Sequence, residues 1–180
     1  MPIDKSIDYS RVTPKLRTLS KRCVRNDTID PKLYERYHVN RGLRDLNGNG
    51  VLTGLTEISD IVAFKNVNGK KVPCDGKLYY RGVDVEQIVQ GFMSENRFGF
   101  EETVYLLLFG RLPGESQLED FKAQLTHYRS LPTNFVRDVI MKAPCADMMN
   151  MLARSVLTLY GYDSAATDIS IPNVLRQCMQ

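Results

Sequence analysis

Residues 146–160 constrain the fold of this chain more than any other segment. They carry Met148, Met149, Met151, Leu152, Val156, Leu157, Leu159 and Tyr160. At 100° per residue these side chains cover well over half of a helix circumference, wider than the stripe a helix needs to sit on one core. Such a helix must be covered on two sides: either it lies centrally in its own fold, or a second subunit covers it. Together with Met141, the methionines would also suit an adaptable binding groove. At helical spacing a buried packing face is the better reading.

The flanking sequence is helical as well. Thr13-Pro14 opens a helix to Arg25, because threonine caps and proline at the first turn loses an N–H that has no partner anyway. Leu16, Leu19 and Cys23 form its narrow apolar stripe. Asp30-Pro31 repeats the signal for a short helix through Tyr37. Asp84-x-x-Gln87 reads as a capping box for a helix to Met93. Phe100–Phe109 is strongly apolar and is stopped by Gly110 and Pro113. Ser116-x-x-Glu119 caps a helix in which Leu118, Phe121, Leu125 and Tyr128 keep helical spacing. A short helix spans 133–142, with Phe135, Val136, Val139 and Ile140 inward. Ser170-Ile171-Pro172 opens a last helix that meets Gln180 with no cap, glycine or polar tail, and it reads as cut.

Between residues 50 and 82 the period changes. VLTGLTEISDIVAF alternates loosely and is rich in β-branched residues, and KLYYRG follows turns at Asn68-Gly69 and Asp75-Gly76, so short strands or a hairpin are expected. The fold class is therefore all-α, mainly helical, with a small antiparallel β-element near residues 50–82.

Composition excludes more than it assigns. A net charge of +3 is too small to argue for nucleic acid or membrane. Residues 1–45 nevertheless hold eleven Lys/Arg against six acids. The bland reading is a solvated helix face; the sharper one is a site for an anionic, phosphate-bearing ligand. The four cysteines have no metal or disulfide spacing and read as reduced thiols of a cytoplasmic protein. The longest apolar run, 104–109, is far too short to span a bilayer.

Candidate chemistry is thin. Only His38 and His127 could act as imidazole acid or base; His127 falls about half a circle from its helix's apolar stripe and should face solvent. Nucleophile, phosphate-loop and zinc motifs are absent. Asp45-x-Asn47-x-Asn49-Gly50 matches the first half of a calcium loop, but the twelfth position is Thr56, with Glu57 one residue late, so a glycine-asparagine turn reads better.

From Gly42 onward the sequence resembles the citrate synthases. GLRDLNGNGVLTGLTEISDI is similar to the family's opening loop and β-structure. KLYYRGVDVEQIVQG resembles its L-x-Y-R-G-Y-D-I-E-D-L segment, and FGFEETVYLLLFGRLPGESQLEDFKAQL its S-F-E-E-V-A-Y-L-L-L-Y-G-x-L-P block. LPTNFVRDVIMKAP and ADMMNMLARSVLTLYGYD are similar to the next two helices. There the family usually has a His-Pro-Met-Asp-like start; this chain has CADMMNML, without that histidine and proline.

The resemblance implies an organisation and a role. Residues 1–40 would be a basic helical N-terminal extension, and 41–180 the N-terminal part of the large domain, truncated. Family members condense acetyl-CoA with oxaloacetate and water to citrate and CoA, using an aspartate and two histidines that lie downstream of the position of Gln180. No catalytic residue would thus be in this chain, which alone would be inactive. Helices 133–142 and 146–160 would form a homodimer interface through Val136, Ile140, Met148, Met149, Leu152 and Val156, and the other partner would be the rest of the enzyme. Arg44, with Arg41 second, would approach CoA. No cofactor is implied as permanently bound; acetyl-CoA is a substrate. The alternative from another class is a standalone, non-catalytic helical interaction module.

Overall fold

The structure, a computed structural model, describes residues 10–26, 29–40, 42–44 and 51–180. Its elements run α1 (Pro14–Arg25), α2 (Lys32–Arg36), β1 (Ser59–Val67), β2 (Lys70–Tyr80), β3 (Val83–Asp84), α3 (Val85–Ser94), α4 (Phe100–Phe109), α5 (Glu115–Tyr128), a π-helix (Val136–Met141), α6 (Met148–Leu159), a 3₁₀ turn (Tyr160–Tyr162) and α7 (Ile171–Met179). The expected class is observed: helices with one small antiparallel sheet. The chain divides into one unit of residues 22–121 and another of 1–21 with 122–180.

In the 22–121 unit the strands pair in the order β1-β2-β3, all antiparallel. Both connections are two-residue turns with positive φ at each residue, Asn68 (52°) with Gly69 (78°), and Arg81 (49°) with Gly82 (83°). That geometry matches the right-handed twist of the strands and favours Asn-Gly, as found at the first turn. Two expectations are corrected. The strand starts at Ser59, not near residue 51. Asp75-Gly76 is no turn but lies inside β2, where the register slips between Val62↔Lys77 and Phe64↔Pro73, so that Cys74, Asp75 and Gly76 stand opposite Ala63. A bulge has absorbed a pair that locally looks like a turn.

The sheet leads directly into helices. Asp84 ends β3 and caps α3 by accepting from the Glu86 N–H at 2.9 Å. Helix α4 ends as expected at Gly110, left-handed at φ 75°, whose N–H donates to the Leu106 carbonyl. Tyr105, Phe109 and Phe121 are buried and meet edge-on or tilted, with centroids 4.5–5.7 Å apart. The Tyr105 hydroxyl accepts from Arg22 at 2.9 Å. Helix α5 begins at Glu115, ahead of the expected Ser116 cap; Gly114 instead donates its N–H to the Gln117 side-chain oxygen at 3.1 Å. The glutamine three residues on closes this start, and Ser116 sits within the first turn.

The other unit is organised around a charged knot. Arg176 on α7 is fully buried. It donates to the Asp163 carboxylate, to Asn173 Oδ1 at 2.9 Å and to Gln180 Oε1. Asp163 also accepts from Ser10 Oγ (2.8 Å), the Ala165 N–H (3.0 Å) and Gln177 Nε2 (3.1 Å). Asn173 Nδ2 donates to the carbonyls of Ala165 and Asp168 at 2.8 and 2.7 Å. The irregular stretch between the 3₁₀ turn and α7 thus has its polar groups satisfied by side chains, which is what allows it to be ordered without regular structure. In the same unit Leu16, Phe135, Leu175 and Met179 are buried, and Phe135 meets Tyr162 at 5.8 Å.

Asp163 titrates well below the ordinary carboxylate range, at about 2. Burial opposes ionisation, but the hydrogen bonds from Arg176, Gln177, Ser10 and the Ala165 N–H outweigh it. A folded value below the unfolded one, about 3.9, means that this stabilisation is complete above about pH 4 and fades as pH falls towards 2. Asp163→Asn should therefore lose about 3 kcal/mol or more at neutral pH, since it strands a buried guanidinium. In thermal melts between about pH 5 and pH 2 the variant should lose less stability than the parent. Equal pH dependence of the two would contradict that role for Asp163.

Candidate functional site

The helix that dominates the sequence turns much of its apolar arc out of the single chain. Asp147 caps α6, its carboxylate accepting from the Asn150 N–H at 3.1 Å. On the helical wheel, Met148, Leu152, Val156, Met149, Tyr160 and Leu157 fall successively around roughly half the circumference. In the single chain Met148, Met149 and Leu157 are 75%, 72% and 76% exposed, Val156 66% and Leu152 53%. The half-buried residues of the helix are Met151, Arg154, Ser155 and Leu159. The apolar face of α6 points away from its own chain. Of the two ways to cover such a helix, central burial within this fold is not the one observed.

The neighbouring segment departs from an ordinary helix. Residues 136–141 form a π-helix, so the helix expected over 133–142 is shorter and wider. Phe135 alone of its four expected inward residues is fully buried; Val136 and Met141 are exposed, and Ile140 and Val139 half-buried. Asn134 at φ 66° and Pro132 precede it, and the wider turn rotates the side chains away from the register that a 3.6-residue period predicts. Arg154 ties α6 to the stretch just after the π-helix by donating from Nη2 to the Ala143 carbonyl at 2.7 Å. Its Nε is buried with no hydrogen-bond partner among the described residues. The expected interface residues Val136, Ile140, Met148, Met149, Leu152 and Val156 therefore lie on two adjoining elements. Leu157, Met141 and Tyr160 extend the same exposed set; continuing the 100° wheel past Val156 would have included Leu157 and Tyr160.

The other candidate positions are less informative. Arg44 is exposed and pairs in an isolated β-bridge, whereas Arg41 and the Asp45–Gly50 calcium-like loop lie outside the described residues. His38, at φ 49°, and His127 are both exposed. Among the described residues no group of three or more His, Cys, Asp or Glu could hold a metal ion. None of the described helices is long and apolar enough to cross a membrane. All four cysteines are free thiols.

A family model described as citrate synthase, C-terminal domain, matches residues 45–179, three quarters of the chain. The chain belongs to the citrate synthase family. The citrate synthase of Saccharolobus solfataricus is 31% identical over 97 residues, 54% of this chain and 23% of that protein. The 2-methylcitrate synthase 1 of Corynebacterium glutamicum is 31% identical over 115 residues, 64% of this chain and 26% of that one. The 2-methylcitrate synthase of Shewanella oneidensis reaches 39% over 67 residues, 37% and 16% respectively. The chain thus covers about a quarter of the first two relatives. The match includes the sheet, the α4 block and the exposed α6 face of this citrate synthase family chain; Arg41 and Arg44 precede it.

Because Leu157 makes so little contact with its own chain, Leu157→Lys should change the stability of the dilute protein by less than about 0.5 kcal/mol. Leu175→Ala, in the buried core, should cost about 2–5 kcal/mol. Chemical denaturation of the two variants checks this; a large loss for Leu157→Lys would show that α6 is covered from within.

Proposed function

We propose that this chain is the N-terminal scaffold and dimerisation part of a citrate synthase, and that a second copy covers the apolar face of α6. The carrying observation is the half-circumference of exposed Met, Leu and Val on α6, continued by Val136 and Met141. Each large apolar side chain taken out of water contributes about 1.5–3 kcal/mol, so pairing two such faces supplies a driving force that a lone chain forgoes. A two-fold axis suits one self-complementary patch.

In the complete enzyme the reaction is the condensation of acetyl-CoA with oxaloacetate and water to citrate and CoA. That chemistry needs a base to remove a proton from a weakly acidic methyl group, while an acid stabilises the developing enolate. On this reading the acid–base groups belong to the remainder of the enzyme and the chain alone does not turn over; His38 and His127 are both exposed. Arg44 and Arg41 contribute at most a contact to CoA. The free thiols support a reducing, cytoplasmic setting.

Sedimentation velocity and a coupled CoA-release assay test the two halves of the proposal. The chain should sediment as a dimer at micromolar concentration, and Met149→Asp with Val156→Asp should convert it to monomer, since each buries an unpaired carboxylate. CoA release should stay at background for both. A parent monomer at all concentrations would reject the interface; CoA release above background would reject the inactive scaffold.

A further inference from the structure

The basic excess of residues 1–45 has no part in the assembly just proposed, yet some of it lines a separate polar cleft within the 22–121 unit. The cleft measures about 330 Å³ and is lined by Arg25 and Asn26 at the end of α1, Glu57 ahead of β1, Arg81 in the β2–β3 turn and Gly110 behind α4.

Its construction begins with Arg81. This bulky residue sits at φ 49°, in the left-handed region that side chains other than those of Gly and Asn seldom enter. Strain of this kind persists only where surrounding contacts hold it. Here the contacts are visible: the Arg81 N–H donates to the Ile58 carbonyl at 2.8 Å, and Nε and Nη2 donate to the Leu107 carbonyl at 3.1 and 3.0 Å. On the other side of the helix end, Asn26 Nδ2 donates to the Phe109 carbonyl. The last carbonyls of α4, which would otherwise present the negative end of that helix to the cleft, are therefore already occupied.

What remains for a ligand is the Nη1 edge of Arg81, the guanidinium of Arg25 and the carboxylate of Glu57. Arg25 and Glu57 line the same cleft, yet neither forms an ion pair with the other or with any described residue. Opposite charges that share a cleft without meeting leave a gap suited to a group that accepts on one side and donates on the other. A fully ionised oxyanion would satisfy the arginines but be repelled by Glu57. A carboxylate has the same defect. A singly protonated phosphate has both kinds of surface: ionised oxygens for guanidinium N–H groups, and a P–OH hydrogen for the carboxylate.

We propose that this cleft binds a phosphate group in its singly protonated form, with Arg25 and Arg81 Nη1 donating to the phosphoryl oxygens and Glu57 accepting from P–OH. No bond is made or broken. The group could come as free phosphate or as a phosphomonoester, and the two share the chemistry that the cleft recognises.

Calorimetric titration near pH 6, where the second ionisation of a phosphomonoester is about half complete, tests the proposal with inorganic phosphate, glycerol phosphate and sulfate at matched ionic strength. Saturable phosphate binding is expected, with sulfate at least about tenfold weaker. Arg25→Gln should weaken phosphate binding about tenfold, and Glu57→Gln should abolish the preference for phosphate over sulfate. Both side chains are exposed, so unchanged melting temperatures will show that the variants remain folded. Tighter binding of glycerol phosphate would assign an ester, and tighter binding of inorganic phosphate the free ion; saturable binding of either supports the site. Absence of saturable phosphate binding, equal affinity of the parent for sulfate, or an unaltered Arg25→Gln would overturn it.

Discussion

The outward-facing apolar side of α6 is the constraint on which the reading of this chain depends. A helix normally turns its apolar stripe towards its own core and its polar side towards water. Here Met148, Met149, Val156 and Leu157, which would gain most from burial, are left open, while Met151, Arg154, Ser155 and Leu159 are half-buried. Arg154 reaches the Ala143 carbonyl, so that its side of α6 is joined by a hydrogen bond to the stretch that follows the π-helix. A face of this kind lowers the free energy of the folded chain only when another protein surface meets it.

The same unit pins its far end with charge. The Asp163–Arg176 pair holds the irregular stretch after α6 against α7, recruiting Ser10, Asn173 and Gln177 as further partners. Burying a guanidinium costs several kcal/mol unless its N–H groups are satisfied, and here the carboxylate and two amide oxygens do so. The knot fixes the path of the chain leaving α6, and with it the direction in which the exposed face is presented.

Much of this was legible in the sequence, for local reasons. Proline at the start of α1, aspartate before α3 and glycine after α4 act within a turn of their own position, and each does what its chemistry requires. The apolar arc of 146–160 was equally plain, because a fixed 100° step makes it so. What escaped depends on partners distant in sequence or on competition between neighbours. Asp75-Gly76 has turn chemistry, but pairing with β1 wins and turns it into a bulge. Gln117 outcompetes Ser116 for the start of α5. The π-helix changes the period itself, so residues expected inward, such as Val136, face out. The side to which α6 would turn its arc could not be read from periodicity, which is silent about what lies opposite. The Asp163–Arg176 and Ser10–Asp163 contacts, separated by 13 and 153 positions, leave no local signal either.

The most direct test of a partner on α6 is oxidative footprinting of the methionines as protein concentration is raised. Met148 and Met149 should be oxidised readily in dilute solution and become protected as chains associate, while Met93, equally exposed but in the other unit, should react at the same rate throughout. Met148 and Met149 reacting as fast as Met93 at every concentration would mean that no second copy covers the face, and α6 would then be no dimerisation element.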